Sequence, residues 1–228
     1  MNFLALAQRL HRESLRSGAG PVAISGSTKE VLRLFDWIND AWYDLQVEAR
    51  DWKWMRRECD AALVIGQHAY TAASLGLTGL RKWMPPSRTR TARVYPTASA
   101  SNVTEMVYWP DYDEFIRRQI DVPASNGAPQ MWTISPTEEI LIAPAPDAAY
   151  KLKAAYTSTP YRMVIETDAP DMPEDFHLLL VWRALMELAS TDAASEVYVR
   201  AKANHDAIRS ALILDQGPRW AMRGRVIA

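Results

Sequence analysis

Residues 27–54 read STKEVLRLFDWINDAWYDLQVEARDWKW, and this stretch decides the helical part of the fold. Large apolar side chains recur in it at steps of four and three residues, namely at Val31, Phe35, Ile38, Trp42, Leu45, Ala49 and Trp52. Because an α-helix has 3.6 residues per turn, this spacing places them on one face. The stretch therefore predicts a helix of about six turns with one continuous apolar seam.

Further helices are predicted at both ends of the chain. Residues 2–16 have the same spacing and predict a short first helix. Acidic residues and Pro173 crowd residues 171–175, as is typical of a helix N-terminus. Residues 176–189 are apolar nearly all round, which predicts a central helix. A last helix is expected to end at Gln216, with one face formed by Val197, Ala201, His205, Ile208 and Leu212.

The middle of the chain changes to a period of two. Cys59, Ala61, Leu63 and Ile65 alternate with other residues, and residues 150–156 alternate strictly, as half-buried strands do. A strand is also predicted over 103–109, and a hairpin is predicted from 132–134 to 140–142. Ten prolines punctuate this region, which favours short strands over a helical bundle, at positions 85, 86, 96, 110, 123, 129, 136, 144, 146 and 160.

These elements predict an α+β fold. An α-helical bundle forms from the N- and C-terminal helices, and a β-rich region, either a sheet or a small sandwich, is inserted between them. Residues 1–55 are expected to form the N-terminal helices of the bundle, and residues 56–165 are expected to form the β-rich insertion. Residues 166–216 are expected to form the C-terminal helices, and residues 217–228 an extended tail.

Composition excludes several classes of protein. The 228 residues are 48% hydrophobic, and 26 basic residues balance 27 acidic ones, giving a net charge of −1. A disordered chain would be less apolar, and a dedicated DNA-binding protein would be strongly basic. The single Cys59 excludes an intramolecular disulfide and any multi-cysteine metal site. No membrane span or signal segment is predicted. The chain has nine Trp and nine Tyr but only four Phe. This is a surplus of amphipathic aromatic residues, which are enriched at protein interfaces.

No motif predicts catalysis, a cofactor or a metal. The chain has no nucleophile elbow, dinucleotide fingerprint or phosphate loop. The adjacent Glu138 and Glu139 would point to opposite faces of a strand. A cluster of carboxylates could bind a cation; it consists of Glu166, Asp168, Asp171, Glu174 and Asp175. Alternatively, these residues interact with the dipole at the start of a helix and lie in a solvated loop.

Two basic regions are candidate contact sites. One is a basic run without an intervening acidic residue, made of Arg81, Lys82, Arg88, Arg90 and Arg93. This run could contact DNA phosphates or a protein partner. The other is the tail after the last helix, which has no acidic residue. Its side chains predict either a partner-binding segment or a frayed terminus; the candidate contacts are Arg219, Trp220, Met222, Arg223, Arg225, Val226 and Ile227.

Several motifs together resemble the head-to-tail adaptor, or connector, proteins of tailed bacteriophages. They are packing and turn motifs spread over nearly the whole chain, and they occur at residues 32–42, 51–55, 66–70, 112–115, 141–147 and 171–177. Members of such families are virion structural proteins at the head–tail junction, made in the host cytoplasm. The resemblance implies a ring, typically of twelve copies, that surrounds the DNA channel.

The resemblance also implies partners. The ring binds the portal protein on one side and tail proteins, the nozzle or tail tube, on the other, while genomic DNA passes through. The C-terminal segment of such proteins often extends along the portal, and by position this corresponds to residues 219–228 here. Two alternatives stay open: a cell-wall glycan hydrolase that uses acidic residues, and another connector ring protein such as a stopper.

Overall fold

The structure is a computed structural model that describes residues 1–15, 18, 20–48, 52–86, 91–122, 125–192 and 194–217. It has the predicted mixed α+β class. The chain divides into two compact units, one formed by residues 1–55 and 160–228 and the other by residues 56–159.

All the described strands lie in the middle of the chain, and most of the helical residues lie at its two ends. The α-helices are α1 (Phe3–Glu13), α2 (Lys29–Glu48), α3 (Tyr112–Phe115), α4 (Leu178–Thr191) and α5 (Ser195–Gln216). Short 3-10 helices cover Lys53–Met55 and Glu174–Phe176, and one π-helical turn covers Ile116–Ile120. The strands are β1 (Arg56–Ala62), β2 (Ala69–Tyr70), β3 (Leu80–Trp83), β4 (Arg93–Pro96), β5 (Thr104–Glu105), β6 (Val107–Tyr108), β7 (Met131–Ile134), β8 (Ile140–Ala143) and β9 (Tyr150–Ser158).

In the first unit, α4 lies at the centre, as its apolar sequence predicts. It packs against α1, α2 and α5. The predicted seam of α2 is confirmed at Phe35, Ile38, Trp42 and Leu45, which are buried. Val31 is half-buried, and the helix ends at Glu48, before Trp52, so the predicted helix is too long. The predicted first helix is shorter than expected: it ends at Glu13, and Leu15 has a φ of +56°, which no helix continues.

The second unit contains two sheets that share one apolar core. The first has the order β1-β9-β4-β5, with β3 also paired to β9, and the second has the order β2-β8-β7-β6. Side chains from both sheets meet in one cluster, among them Cys59, Leu152, Trp132 and Ile142. The predicted alternation is confirmed for Cys59, Ala61 and Leu63 and for β9, and the predicted β7–β8 hairpin is confirmed. Ile65 does not continue it, because β1 ends at Ala62 and Ile65 is 58% exposed.

The predicted strand over 103–109 is wrong in detail. The chain forms two short strands there: β5 pairs with β4 in the first sheet, and β6 pairs in parallel with β7 in the second. Met106 between them is buried, with 2% of its surface exposed. The chain changes sheets at this residue, and the alternation of the sequence cannot reveal such a change.

Glu138 and Glu139 are not strand neighbours either. They lie in the turn before β8, where Glu138 has a φ of +60°. The amide of Glu139 donates to the Ser135 hydroxyl at 2.9 Å, which closes the turn. The two side chains are therefore placed by turn geometry and not by a strand.

Candidate interaction surfaces

The candidate contacts in the C-terminal tail, residues 219–227, lie outside the described residues. The residue that precedes the tail is described and is constrained. The Gly217 amide donates to the Ile213 carbonyl oxygen at 3.0 Å, and a Cβ atom at Gly217 would collide with that oxygen. A side chain at this position would therefore require the end of α5 to shift.

The basic run is divided by the structure. Arg88 and Arg90 lie outside the described residues, whereas Lys82 is on β3 and Arg93 is on β4. Both strands pair with the same edge of β9, Lys82 opposite Thr157 and Arg93 opposite Lys153. Four residues of a strand span about 13 Å, so these two cations do not form one cluster. Arg81, the remaining member of the run, also lies on β3.

Arg93 belongs to a row of alternating charges on the outer face of the first sheet. Asp60, Lys153 and Arg93 lie opposite one another on three neighbouring strands. The Lys153 ammonium is 3.6 Å from an Asp60 carboxylate oxygen, and the Arg93 guanidinium is 3.5 Å from that of Glu58. Because acids share this face, Arg93 does not present an uncompensated positive charge to a phosphate.

Tyr95 orders the same face. Its hydroxyl donates to Asp60 at 2.6 Å, and this hydrogen bond raises the pKa of Tyr95. The Lys153 ammonium lies 5.4 Å from the centre of the Tyr95 ring, within the range of a cation–π interaction. The face is thus a fixed network of polar side chains.

Most of the tryptophan surplus in the helical unit belongs to its core. Trp52 and Trp54 stack with ring centroids 4.6 Å apart, and Trp42 stacks on Trp54 at 6.5 Å. The Trp52 indole N–H donates to the Leu45 carbonyl oxygen at 2.8 Å. These rings therefore stabilise the end of α2 and are not exposed for a partner.

A groove of about 590 Å³ lies between α2, α4 and α5. Leu45, Leu179, Leu180 and Met186 contribute apolar surface to it. Its rim consists of paired charges, in which Arg183 contacts Asp44 at 3.7 Å, Lys202 contacts Asp206 at 2.5 Å, and Arg209 pairs with Glu48. The paired rim gives the groove no excess of either charge.

The acidic segment serves the backbone. The Glu166 carboxylate accepts from the Ile24 amide at 2.9 Å, and Asp168 accepts from the amides of Val164 and Ile165 at 2.6 and 3.0 Å. These hydrogen bonds to backbone amides lower the pKa of both carboxyl groups. The Asp168 carboxylate thus closes its own turn, and the Glu166 carboxylate joins that turn to the segment before α2.

The same loop presents a surface that the sequence analysis missed. Val164 and Ile165 are 74% and 54% exposed, and Val22, two residues before Ile24, is 79% exposed. The only sequence signal was two neighbouring β-branched apolar residues in a segment without helix or strand periodicity.

Three of the carboxylates considered for hydrolysis, Glu138, Glu166 and Asp168, accept hydrogen bonds from the backbone. The side chain of Glu138 accepts from the Trp83 amide at 3.1 Å, and its carbonyl oxygen accepts from the Trp83 indole at 3.0 Å. The lowered pKa values of Glu166 and Asp168 favour the ionised form, whereas a general acid needs the protonated one. No group of three or more metal-ligating side chains occurs among the described residues.

Within the part of the chain that the structure describes, no helix combines the length and the apolar character needed to cross a membrane. A comparison with curated proteins finds no match. A family model for the SU10 adaptor protein, in contrast, matches residues 1–227. The match extends over both compact units and agrees with the resemblance to phage head-to-tail adaptors. The chain belongs to the SU10 adaptor protein family.

Proposed function

We propose that this phage adaptor protein forms a ring at the head–tail junction of the virion, joins the portal to the tail and surrounds the DNA channel. Membership of the adaptor family over residues 1–227 is the observation that carries the proposal. The protein is made in the host cytoplasm and then incorporated into the virion. Its role is structural and not enzymatic, because joining two assemblies requires contact surfaces and no bond chemistry.

In this proposal the ring has about twelve copies, as the resemblance implies. Each copy needs two different faces that close by rotation. The helical segments at 1–55 and 166–216 and the β-rich insertion at 56–165 provide surfaces for neighbouring copies and for the tail proteins. A net charge of −1 per copy limits repulsion between many copies in one ring.

The portal contact is assigned to the tail, residues 217–228. The tail combines cations with large apolar side chains, a composition that suits a segment that orders on a partner. The residues proposed to contact the portal are Arg219, Trp220, Met222, Arg223, Arg225, Val226 and Ile227.

The basic run is proposed to face DNA or a protein partner. Lys82 is exposed, but Arg93 shares its charge with Glu58. The outer face of the first sheet carries both positive and negative side chains. A protein partner that also carries both signs of charge therefore complements this face better than DNA does. Substituting Lys82 by Glu should therefore weaken attachment of a tail protein more than it changes retention of packaged DNA.

Electron microscopy with purified portal tests the proposal. The full chain should add a ring of density to the portal vertex, and a variant lacking residues 218–228 should fold but should not attach. The control replaces Arg219, Arg223 and Arg225 by Lys, which retains charge and tail length, and it should attach. Attachment of the truncated variant would refute the role of the tail, and absence of any portal-bound ring would refute the proposed function.

A further inference from the structure

We infer that the outer edge of β1, formed by the backbone of Glu58, Asp60 and Ala62, binds an extended segment of a different protein. The segment adds to the first sheet as a further strand, and it alternates cationic and apolar side chains. We call this backbone the β1 edge. The inference goes beyond the proposed function, because it concerns the β-rich unit alone and depends neither on a ring nor on the portal.

The position of β1 in the sheet defines the edge. Among the described strands, only β9 pairs with β1, and the pairing is antiparallel. The Leu63 amide donates to the Tyr150 carbonyl oxygen at 2.8 Å, so the backbone of Leu63 faces β9. In an antiparallel ladder the backbone groups of successive residues face opposite sides of the strand. The residues whose backbone groups face away from β9 are therefore Glu58, Asp60 and Ala62.

These outward backbone groups are available for pairing. No acceptor for the amides of Glu58, Asp60 and Ala62 occurs in the part of the chain that the structure describes. All three residues are exposed. A row of exposed, unpaired N–H and C=O groups is a template for another strand. Its spacing matches an extended backbone, which binds such an edge through main-chain hydrogen bonds.

The other edges of the two sheets are closed or very short. The Met84 amide donates to the Ala155 carbonyl oxygen at 2.9 Å, so the backbone of Trp83 faces the outer side of β3. There the Glu138 carboxylate accepts from the Trp83 amide at 3.1 Å and occupies the edge. The remaining edge strands, β2, β5 and β6, have two residues each. Among the described strands, β1 is thus the one long open edge.

Two apolar residues extend the β1 edge at its end. Val64 and Ile65 follow β1 and are 56% and 58% exposed. The Val64 backbone is fixed, because its amide donates to the Tyr70 hydroxyl at 3.1 Å and its carbonyl oxygen accepts from that hydroxyl at 2.9 Å. An edge that is protected against pairing carries charge along its length. Here the edge ends in exposed branched side chains, whose burial against a partner is favourable.

Charge specifies one set of side chains on the added strand. Glu58 and Asp60 are two residues apart and lie on the same face of β1. Their side chains are 51% and 43% exposed, although Arg93 and Lys153 approach them at 3.5 and 3.6 Å. An ionised carboxylate has about four lone-pair sites and can accept a second cation. Lys or Arg at alternate positions of the added strand would lie opposite these two carboxylates.

The other face of β1 specifies the remaining side chains. Cys59 and Ala61 are buried in the core that the two sheets share. Apolar side chains opposite them would extend this core. A second copy of this chain offers no matching edge among its described strands, because β3 is closed by Glu138 and the other edges have two residues each. We therefore assign the added strand to a different protein.

Binding of a synthetic peptide to the full chain tests the inference. The probe is fluorescently labelled Thr-Lys-Val-Arg-Val-Thr, in which cations alternate with valine. The control peptide, Thr-Val-Lys-Arg-Val-Thr, has the same composition but places its cations on opposite faces of a strand. By fluorescence anisotropy the probe should bind about fivefold or more tighter than the control, and high salt should weaken it. Equal binding of the two peptides would overturn the inference.

Two variants at Ala62 form a matched pair. Ala62→Pro removes an outward N–H group, whereas Ala62→Val retains it, and both should keep the circular dichroism of the wild-type chain. The proline variant should bind the probe about fivefold or more weakly than the valine variant. Ala61→Pro removes an N–H group that faces β9 and should lower the melting temperature. Equal affinities of the two Ala62 variants would overturn the inference.

Hydrogen exchange in the wild-type chain tests the edge without any substitution. The amides of Glu58, Asp60 and Ala62 should exchange faster than those of Cys59 and Ala61, and the probe should slow them. Slow exchange at the three outward amides before the probe is added would show that the edge is already covered and would overturn the inference.

A second peptide and portal capture separate the possible outcomes. A peptide of residues 218–228 of this chain should bind no tighter than the control peptide. Tighter binding than the probe, lost in Ala62→Pro, would overturn the assignment to a different protein. Ala62→Pro should still be captured by the portal. Absence of portal capture in the wild-type chain would refute the proposed function and would leave the peptide result unaffected.

Discussion

The Asp168 carboxylate accepts a hydrogen bond from the backbone amide of Val164 at 2.6 Å. This bond closes the turn that holds Val164 and Ile165 in exposed positions, and the Glu166 carboxylate joins the turn to the segment before α2. A group of carboxylates that could have bound a cation is therefore used to fix a loop. Five predictions concern this loop, the core of the helical unit and the end of α5.

Replacing Asp168 by Ala should loosen the turn. The amides of Val164 and Ile165 lose their acceptor, so their hydrogen exchange should become faster. Exchange measured by mass spectrometry on the peptide that spans residues 161–170 checks this. Asp175→Ala removes the same charge from the same acidic segment and serves as the control. Equal exchange in the two variants would contradict the role of Asp168.

Stability should fall in acid because of Asp168 and Glu166. Hydrogen bonds from backbone amides lower the pKa of both groups in the folded chain. Their stabilising contribution is therefore complete above the unfolded-state pKa, about 4, and is lost as the pH falls through the lower folded-state pKa. Urea denaturation between pH 5 and about 3 measures the loss. The double variant Asp168→Asn, Glu166→Gln should lose less stability than the wild-type chain over this pH range.

His177 should cause a second loss of stability at higher pH. It is buried with 4% exposure, its Nε2 lies 3.0 Å from the Met172 carbonyl oxygen, and its Nδ1 lies 2.7 Å from the Met1 ammonium group. Burial lowers the pKa of His177, so the unfolded chain binds a proton first as the pH falls. Stability should decrease below about pH 6.5.

The test for His177 compares one glutamine variant with the wild-type chain. His177→Gln should show less change in melting temperature between pH 7 and about 5 than the wild-type chain does. An unchanged slope in His177→Gln would assign the effect to other groups.

Two tryptophans of the core should respond differently to replacement by phenylalanine. The Trp52 indole N–H has an acceptor, the Leu45 carbonyl oxygen, whereas no acceptor for the Trp42 indole occurs among the described residues. Trp52→Phe should therefore cost about 1 kcal/mol more than Trp42→Phe, the net value of a hydrogen bond. Chemical denaturation of both variants measures the difference. A larger loss at Trp42 would contradict it.

Replacing Gly217 by Ala should disturb the end of α5. The added Cβ atom collides with the Ile213 carbonyl oxygen, and relief requires the backbone to move. We expect a destabilisation of about 1–3 kcal/mol, or fraying of the last turn together with weaker portal capture. Gln216→Ala, one residue earlier, changes neither backbone conformation nor capture and is the control. Wild-type stability and capture in Gly217→Ala would refute this constraint.

The sequence predicted elements in which the local pattern and the final packing agree. The seam from Phe35 to Leu45 is buried as its spacing predicts, and the face of α5 that contains Ala201 and Leu212 packs on α4. These predictions succeed because helical periodicity is a property of neighbouring residues. The strand over 103–109 fails because its two halves pair with strands of different sheets.

The candidate surfaces were less accessible to sequence reasoning. The acidic segment was noted, but its function as an acceptor of backbone hydrogen bonds was not, since Glu166 and Ile24 are 142 residues apart. The basic run appeared continuous in the sequence, whereas the pairing of β3 and β4 with β9 separates Lys82 from Arg93. Contacts between distant residues are set by topology, which a single sequence does not contain.

The sequence by itself therefore determined the α+β class, the apolar seam of α2 and the end of α5 at Gly217, because each depends on residues within a few turns. Only the tertiary structure decided that Asp168 and Glu166 fix a loop and that Val164 and Ile165 beside them stay exposed. The physical reason is that the spacing of apolar residues along the chain shows which face of a helix or strand a side chain occupies. Whether that side chain is exposed depends on whether a distant segment covers the face.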